Sequence, residues 1–428
     1  MKKNFTKLVS LPLSALLLLG STGCSLPKLF FREKKIAAAE ISKEYSRKAT
    51  DEGEISDTFK NGLADFSFRF LQGALTKDEK NDLVSPLSAA LCMALINNGA
   101  AGNTKKQIED LFGGMSTDEL NSSLYAYTSA LPSTEDCKMS LANSVWIKEN
   151  TLNVNPAFLQ ANADWYNAEA YLAPFNQTTV KDINNWCYNH TTGKIEKILD
   201  TIPPLAVMYL INTVDFDGKW ETKYEREDIE NGIFHNYNGT EKDVKMLYSQ
   251  ENRYLMDEDT LGFVKNYKGS HYSFVGLLPN EGIDVYEYID GLSAEKWTAL
   301  WESANPQNEG YEYREVHARM PEFTYETEME LNGILQALGV TDMFSPDLAD
   351  FSGIDDTHPL YCDMVKQKTF IQHDRNGTKA AAITIGGMKC MSAAPAEPLY
   401  ITLDRPFVYA IVDNQNKLPL FLGAVTNL

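Results

Sequence analysis

One stretch near the C-terminus, residues 377–392, constrains this chain more than any other. It reads Gly-Thr-Lys-Ala-Ala-Ala-Ile-Thr-Ile-Gly-Gly-Met-Lys-Cys-Met-Ser. Side chains of an extended segment alternate between two faces. One parity, Thr378, Ala380, Ala382, Thr384, Gly386, Met388 and Cys390, carries no charge and opens with small residues. The other, Lys379, Ala381, Ile383, Ile385, Gly387 and Lys389, holds both lysines. The stretch can lie in a sheet with one face on a core and both ammonium groups in water. A slip of one residue would bury the lysines, so the register is well specified. Yet the Ala-Ala-Ala run and the Gly-Gly pair have weak strand preference. Phe370-Ile371-Gln372-His373 reads as an extended segment closed by an Asp-Arg-Asn-Gly turn signal, and Pro395 and Pro398 follow. Two readings fit these residues: a loop able to become a strand, and a flexible small-residue linker.

The other end of the chain reads as a targeting segment. Lys2, Lys3 and Lys7 precede an apolar run over residues 8–19, too short to span a bilayer comfortably. Ser21-Thr22-Gly23-Cys24 follows, similar to a bacterial lipoprotein signal cut before a Cys that takes the lipid. Ser21 stands where leucine is usual, which keeps plain secretion with cleavage near Gly23 as an alternative. Several acyl chains, at roughly 0.8 kcal/mol per buried methylene, anchor a protein stably. Loss of residues 1–23 removes three lysines and no acid, taking the formal charge from −20 to −23. Residues 24–56 are poor in aromatics and rich in charge, and read as a tether. A helix over residues 37–47 packed on the body is the alternative.

The remainder, residues 57–428, exceeds the roughly 250–300 residues at which single cores stop growing, so length by itself favours two domains. The acidic balance argues against nucleic acid, which needs a basic face. Of the six cysteines (24, 92, 137, 187, 362 and 390), five remain if Cys24 is lipidated. That number is odd and no CxxC spacing occurs, so at least one thiol stays free, Cys390 foremost. The six histidines form no HxH or HxxxH pair, so no metal site is expected. No P-loop, Gly-x-Ser-x-Gly or dinucleotide fingerprint is present, and neither a cofactor nor a catalytic constellation is expected.

Helical periodicity covers residues 57–73. Ser85 caps and Pro86 starts a second helix to about Asn97, apolar nearly all round and therefore buried. Residues 206–216 are almost continuously apolar and read as a central strand. Helices dominate early and strands late, an order that favours α+β with antiparallel or mixed sheets.

Several segments, in this order, resemble the serpin family: Val84-Ser85-Pro86-Leu87-Ser88 with Gly99-Ala-Ala-Gly-Asn-Thr104; Ile183-Asn184-Asn185-Trp186; Thr192-Gly193-Lys194-Ile195; Leu210-Ile-Asn212; Phe216-Asp-Gly218-Lys219-Trp220; Ala349-Asp350-Phe351-Ser352-Gly353; Arg405-Pro406-Phe407; and Phe421-Leu422-Gly423. The set spans nearly the whole chain after residue 57. The resemblance implies one domain of three β-sheets and about nine helices, with an exposed reactive loop over about residues 377–405. It implies suicide inhibition of a protease: the loop is cut as substrate, then inserts into the main sheet. The hinge would be Gly377, Thr378, Ala380, Ala381 and Ala382. Ser85, Pro86, Ser88, Asn212 and Gln367 would form the shutter beneath the sheet, and Trp220 the breach where insertion begins. Counting from Gly377 by the family's usual hinge length places the reactive bond at Met391-Ser392, with Lys389-Cys390 as the alternative. Met suits elastase-, chymotrypsin- or subtilisin-like pockets; Lys suits a trypsin-like one.

Three positions depart from the family pattern. Arg375 stands where Glu is usual just before the hinge. Gln367 replaces a common shutter His, from which a weakened or altered shutter is expected. Ile383 replaces a small residue, on the outward parity. The expected partner is a protease bound by a monomer, with a membrane reached through the lipid. A non-inhibitory surface binding module is the alternative function.

Overall fold

The computed structural model describes residues 31–45, 47, 55–77, 80–304, 312–377 and 397–428. The first half of the body runs β1 (Ala39–Glu40), α1 (Asp57–Ala74), β2 (Asp82–Val84), α2 (Pro86–Asn97), α3 (Gly102–Leu111), α4 (Thr117–Ala130), β3 (Cys137–Lys148), α5 (Pro156–Tyr166), β4 (Glu169–Ala173), α6 (Gln177–His190) and β5 (Met208–Gly218). Strands then take over: β6 (Ile229–His235), β7 (Glu241–Glu251), β8 (Tyr254–Met256), β9 (Thr260–Asn266) and β10 (Tyr272–Pro279). Helices α7 (Val285–Asp290) and α8 (Ala294–Ser303), strands β11 (Val316–Pro321) and β12 (Phe323–Glu330), and α9 (Asn332–Ala337) follow. The chain closes with β13 (Lys366–His373), β14 (Leu399–Thr402), β15 (Phe407–Asp413) and β16 (Leu418–Val425).

Local chemistry sets the helix starts. The Ser56 hydroxyl accepts from the Phe59 amide at the head of α1, whose Phe59, Leu63, Phe66 and Phe70 are buried on one side. Ser85 accepts from the Ser88 amide and Pro86 occupies the first turn of α2. Ten of that helix's residues are buried, as an all-round apolar sequence requires. Ser116 and Glu119 close a reciprocal capping box on α4.

The strands form a six-stranded sheet in the order β2-β16-β15-β10-β9-β8 and a four-stranded sheet β14-β11-β7-β6. A third sheet comes in two leaves, β1-β4-β3-β5 and β12-β13. Among the described residues no ladder joins β5 to β13. Among the described residues there are nine α-helices, as expected, while three sheets result only when these two separately hydrogen-bonded leaves are counted together. The body, residues 33–428, is one compact unit, so the two-domain expectation from length does not hold. Helix α2 packs against both β5 and β16 and ties the layers together.

Residues 33–45 correct the tether reading. Asp182, Asn185 and Asn189 lie on one face of α6 at helical spacing, and each holds the backbone of this segment. Asp182 accepts from the amides of Ala37 and Ala38 at 3.0 and 2.9 Å. Asn185 donates to the Lys35 carbonyl, while Asn189 both accepts from and donates to Lys34 backbone. Strand β1 then extends the sheet beyond β4, pairing Ala39 with Leu172 and Glu40 with Tyr171. The alternative of a packed helix is also not what forms: among the described residues of 37–47 only Ser42–Glu44 makes a single helical turn. Charge-rich composition hid this docking because backbone amides and carbonyls make much of it, beside the packed side chains of Ile36, Ile41 and Tyr45. Replacing Asp182 with Ala leaves two amides without acceptors. The expected loss is about 1.5–3 kcal/mol, read by urea unfolding, together with faster proteolysis within residues 33–45. Unchanged proteolysis would show that the α6 stripe does not hold the segment.

Candidate functional site

Strands β5 and β13 flank one cleft. A cavity of about 410 Å³ is lined by residues 208–214 on one side and 364–369 on the other. Farther along, residues 214–217 face residues 370–372. At the far end the Trp220 indole N–H donates to the Asp374 carbonyl at 3.0 Å. The strands therefore run parallel, from a shared wide end to a shared closed end. Beyond Asp374 the chain reverses: the Asn376 amide donates to the Asp374 carboxylate, and Gly377 bridges to both Asp374 and Lys219. A strand continuing from Gly377 into the cleft would run antiparallel to both neighbours, which lets it make ladder bonds on each side.

The wide part is closed from beneath by the first turn of α2. The Gln367 side chain accepts from the Ser85 amide at 3.0 Å and donates to the Ser85 carbonyl at 2.9 Å. The Ser85 hydroxyl donates to the Leu420 carbonyl. The Ser88 hydroxyl donates to the Asn212 side chain at 2.5 Å, and Asn212 donates onward to Asn143. Helix α2 thus holds β13 through Gln367 and β5 through Asn212. Of the weakened or altered contact expected at Gln367, the geometry gives the altered one: a carboxamide offers an acceptor and a donor at once, so both Ser85 backbone groups are satisfied. Buried groups stripped of such partners cost about 1–3 kcal/mol each.

The closed end is aromatic. Trp220 is fully buried, stacked on Tyr267 at 4.5 Å and met edge-on by Tyr224, Phe274 and His373. Lys265 lies 4.5 Å from the Tyr224 ring centre and pairs with Glu251 at 2.8 Å. Both charges are largely out of water, so removal of either partner would leave an uncompensated buried ion. Sequence reading missed this pair, although a lysine inside the apolar run of β9 was the available signal. It also missed His373, which stacks on Phe323 at 4.7 Å.

Arg375 departs from the family pattern, but its charge is answered locally. Its guanidinium lies 3.2 Å from the Glu322 carboxylate, which also accepts from the Arg375 amide. Gly377 has φ +104°, and a Cβ there would stand 2.4 Å from the Trp220 nitrogen. Only glycine fits that approach. Of the other residues singled out in the sequence, Pro86 occupies the first turn of α2 under the cleft. Cys24, Thr378, Ala380, Ala381, Ala382, Lys389, Cys390, Met391 and Ser392 lie outside the described residues. The loop span to residue 405 is too long: β14 pairs in parallel with β11, and Arg405 donates to the Pro279 carbonyl. Residues 399–405 are held there because Ile401 and Leu403 bury their side chains.

His373 makes the site sensitive to acid. Burial, and secondarily the neighbouring Lys265 ammonium, push its pKa down from 6.5 to about 3. Its ring is packed against Trp220, Phe274 and Phe323. The folded imidazole therefore stays neutral while the unfolded one gains a proton below 6.5. Stability is undiminished above that value and falls through the window from 6.5 to about 3, by about 1.4 kcal/mol per pH unit. His373→Phe should flatten the melting temperature across that window. Parallel curves for wild type and variant would refute the assignment.

Residues 61–428 match the serpin (serine protease inhibitor) family model. Leukocyte elastase inhibitor A of Mus musculus is 31% identical over 360 residues, covering 81% of this chain and 92% of that protein. A serine protease inhibitor of Cyanea capillata is 30% identical, covering 85% and 95%. The native-state crystal structure of tengpin, a thermophilic serpin, superposes with TM-score 0.84 at 41% identity, covering 91% of this chain and all of that one. With the parallel cleft and the bridged glycine at its closed end, these matches settle the family: the chain belongs to the serpins.

Proposed function

We propose that this serpin inhibits proteases as a suicide substrate, its own loop becoming the strand that fills the cleft. One observation carries the reading: two parallel strands lie side by side with no ladder between them, and the hinge glycine is bridged at their closed end. The uncharged parity that starts at Thr378 suits the core face of such a strand. The protease serine oxygen attacks the carbonyl carbon of Met391, the bond to Ser392 breaks, and the new amine of Ser392 leaves. Met391 stays esterified to the enzyme. Insertion of the freed loop then gains roughly 1 kcal/mol per new ladder bond before entropy and drags the enzyme away before water can cleave the ester.

A non-inhibitory binding module rested on Arg375 and Gln367. Glu322 and Ser85 answer both residues, so those positions give it no support. The test is incubation with elastase-, chymotrypsin-, subtilisin- and trypsin-like proteases. The expected product is a complex that survives denaturing electrophoresis, with release of a C-terminal peptide beginning at Ser392. Thr378→Arg places a guanidinium on the core-facing parity, and a tenfold slowing of insertion needs only about 1.4 kcal/mol. That variant should be cleaved without trapping, while Lys379→Arg behaves as wild type. Cleavage of the wild type without any stable complex would sink the inhibitor reading.

We also propose that Cys24 is lipidated and holds the protein on a bacterial membrane, facing an extracytoplasmic space. The support is the basic, then apolar, then small-residue pattern ending at Cys24. Cys24→Ala should release the protein from membrane fractions or leave it unprocessed. Fractionation identical to wild type would remove this proposal.

A further inference from the structure

A chain of side-chain hydrogen bonds leaves the first turn of α2 and returns to the far end of the same helix. It starts at Ser88, which donates to Asn212 of β5, and Asn212 donates to Asn143 of β3 at 2.8 Å. Asn143 donates to the Tyr166 carbonyl at the end of α5. From there the Tyr166 hydroxyl donates to Asn121 of α4 at 2.5 Å, and the Asn121 side chain donates to Asn98 at 2.7 Å. Asn98 caps α2 and donates in turn to Asn162 of α5, whose side chain reaches the Leu95 carbonyl of α2 at 3.5 Å. Asn143, Tyr166, Asn121 and Asn162 are all buried. Each side chain donates one step onward, so the loss of any donor leaves a buried acceptor unmatched.

This ring of bonds crosses a mechanical boundary. Strands β5, β3 and β4 form one laddered leaf. The end of α5 belongs with that leaf, because β4 begins three residues after Tyr166 and Asn143 holds the Tyr166 carbonyl. On the other side, α4 packs on α2, and α2 is tied to β13 and to the six-stranded sheet. An inserted strand needs its two neighbours about 10 Å apart. At the closed end, however, the Trp220 indole still reaches the Asp374 carbonyl. For a strand to enter, the leaf must therefore shift against α2 and α4. The ring spans that boundary at Ser88–Asn212 under the cleft, and again where the end of α5 meets α4 and α2. We propose that the Tyr166 hydroxyl on Asn121 is a second latch on the cleft, which opens before the loop can enter as a strand and so helps set the rate of insertion. The inference rests on the inhibitor reading. Neither residue lines the cleft; both are positioning residues that act through the leaf carrying β5. The bond is made in the resting molecule and broken once the leaf has shifted. Its removal raises the resting state and leaves the barrier top where it was, so insertion becomes faster.

The test mixes the protein with a saturating excess of a protease that wild type traps. Quenched samples on denaturing gels give the rate at which the stable complex appears, and urea unfolding reports the fold. Tyr166→Phe, which removes only the hydroxyl, should speed complex formation about fivefold and lower the urea midpoint. Tyr127→Phe is the control. Tyr127 lies on α4 and is at least as deeply buried, but its hydroxyl has no hydrogen-bond partner among the described residues. Its rate should match wild type. A Tyr166→Phe rate no faster than wild type, whatever the urea midpoint, would make the bond a local stabiliser only. That result would overturn the latch and leave the inhibitor reading standing. Equal acceleration by Tyr127→Phe would also overturn it, since any change within α4 would then suffice. Absence of a stable complex from wild type would remove the inhibitor reading and this inference with it.

Discussion

The first turn of α2 is the interaction on which the main sheet depends. Two strands that share no ladder are each tied to it, β13 through Gln367 on the Ser85 backbone and β5 through Asn212 on the Ser88 hydroxyl. Ser85 reaches the six-stranded sheet as well, through Leu420. The helix is buried on nearly every side, so its position is set by packing, and the polar turn at its head is set with it. Threonines on the neighbouring strands repeat the device: Thr327 and Thr369 both donate to the Leu83 carbonyl. A sheet held open by side chains keeps its strand edges available. A sheet closed by its own ladder does not.

That arrangement carries a cost, because unpaired strand edges invite other chains. The closed end of the cleft is densely packed. There an aromatic cluster surrounds Trp220, an ion pair is largely desolvated, and Gly377 lies too close to Trp220 to carry a side chain. Aromatic contacts of this kind are worth about 0.5–1.5 kcal/mol each beyond burial, so those around Trp220 are a sizeable share of the net stability of a domain. His373 sits within the same cluster, so its protonation bears on the closed end of the cleft. The Arg375–Glu322 pair lies nearer water and contributes less, in the manner of surface ion pairs.

The docked segment before α1 shows a different economy. It brings few large apolar side chains and is held by a stripe of polar residues on α6 that match its amides and carbonyls. Because β1 adds to the edge at β4, the outer edge of the same sheet that opens at β5 is covered by the chain itself. One sheet therefore has a protected margin and an available centre.

The sequence by itself determined the elements whose signals are local. Ser85-Pro86 marked the start of α2, and the nearly continuous apolar run over residues 206–216 marked β5. The ordered motifs then identified the family and its single domain against the length argument. Tertiary structure alone decided the rest, because those interactions join residues far apart in the chain. Glu322 answers Arg375 across 53 positions, and Gln367 meets Ser85 across 282. Neither pairing has a period or a spacing to read. Arg375 and Gln367 looked like departures in the sequence because a side chain's role depends on what faces it. The docking of residues 33–45 was hidden for the same reason: hydrogen bonds made by backbone amides leave no trace in composition, and only the placement of α6 beside them showed where they go.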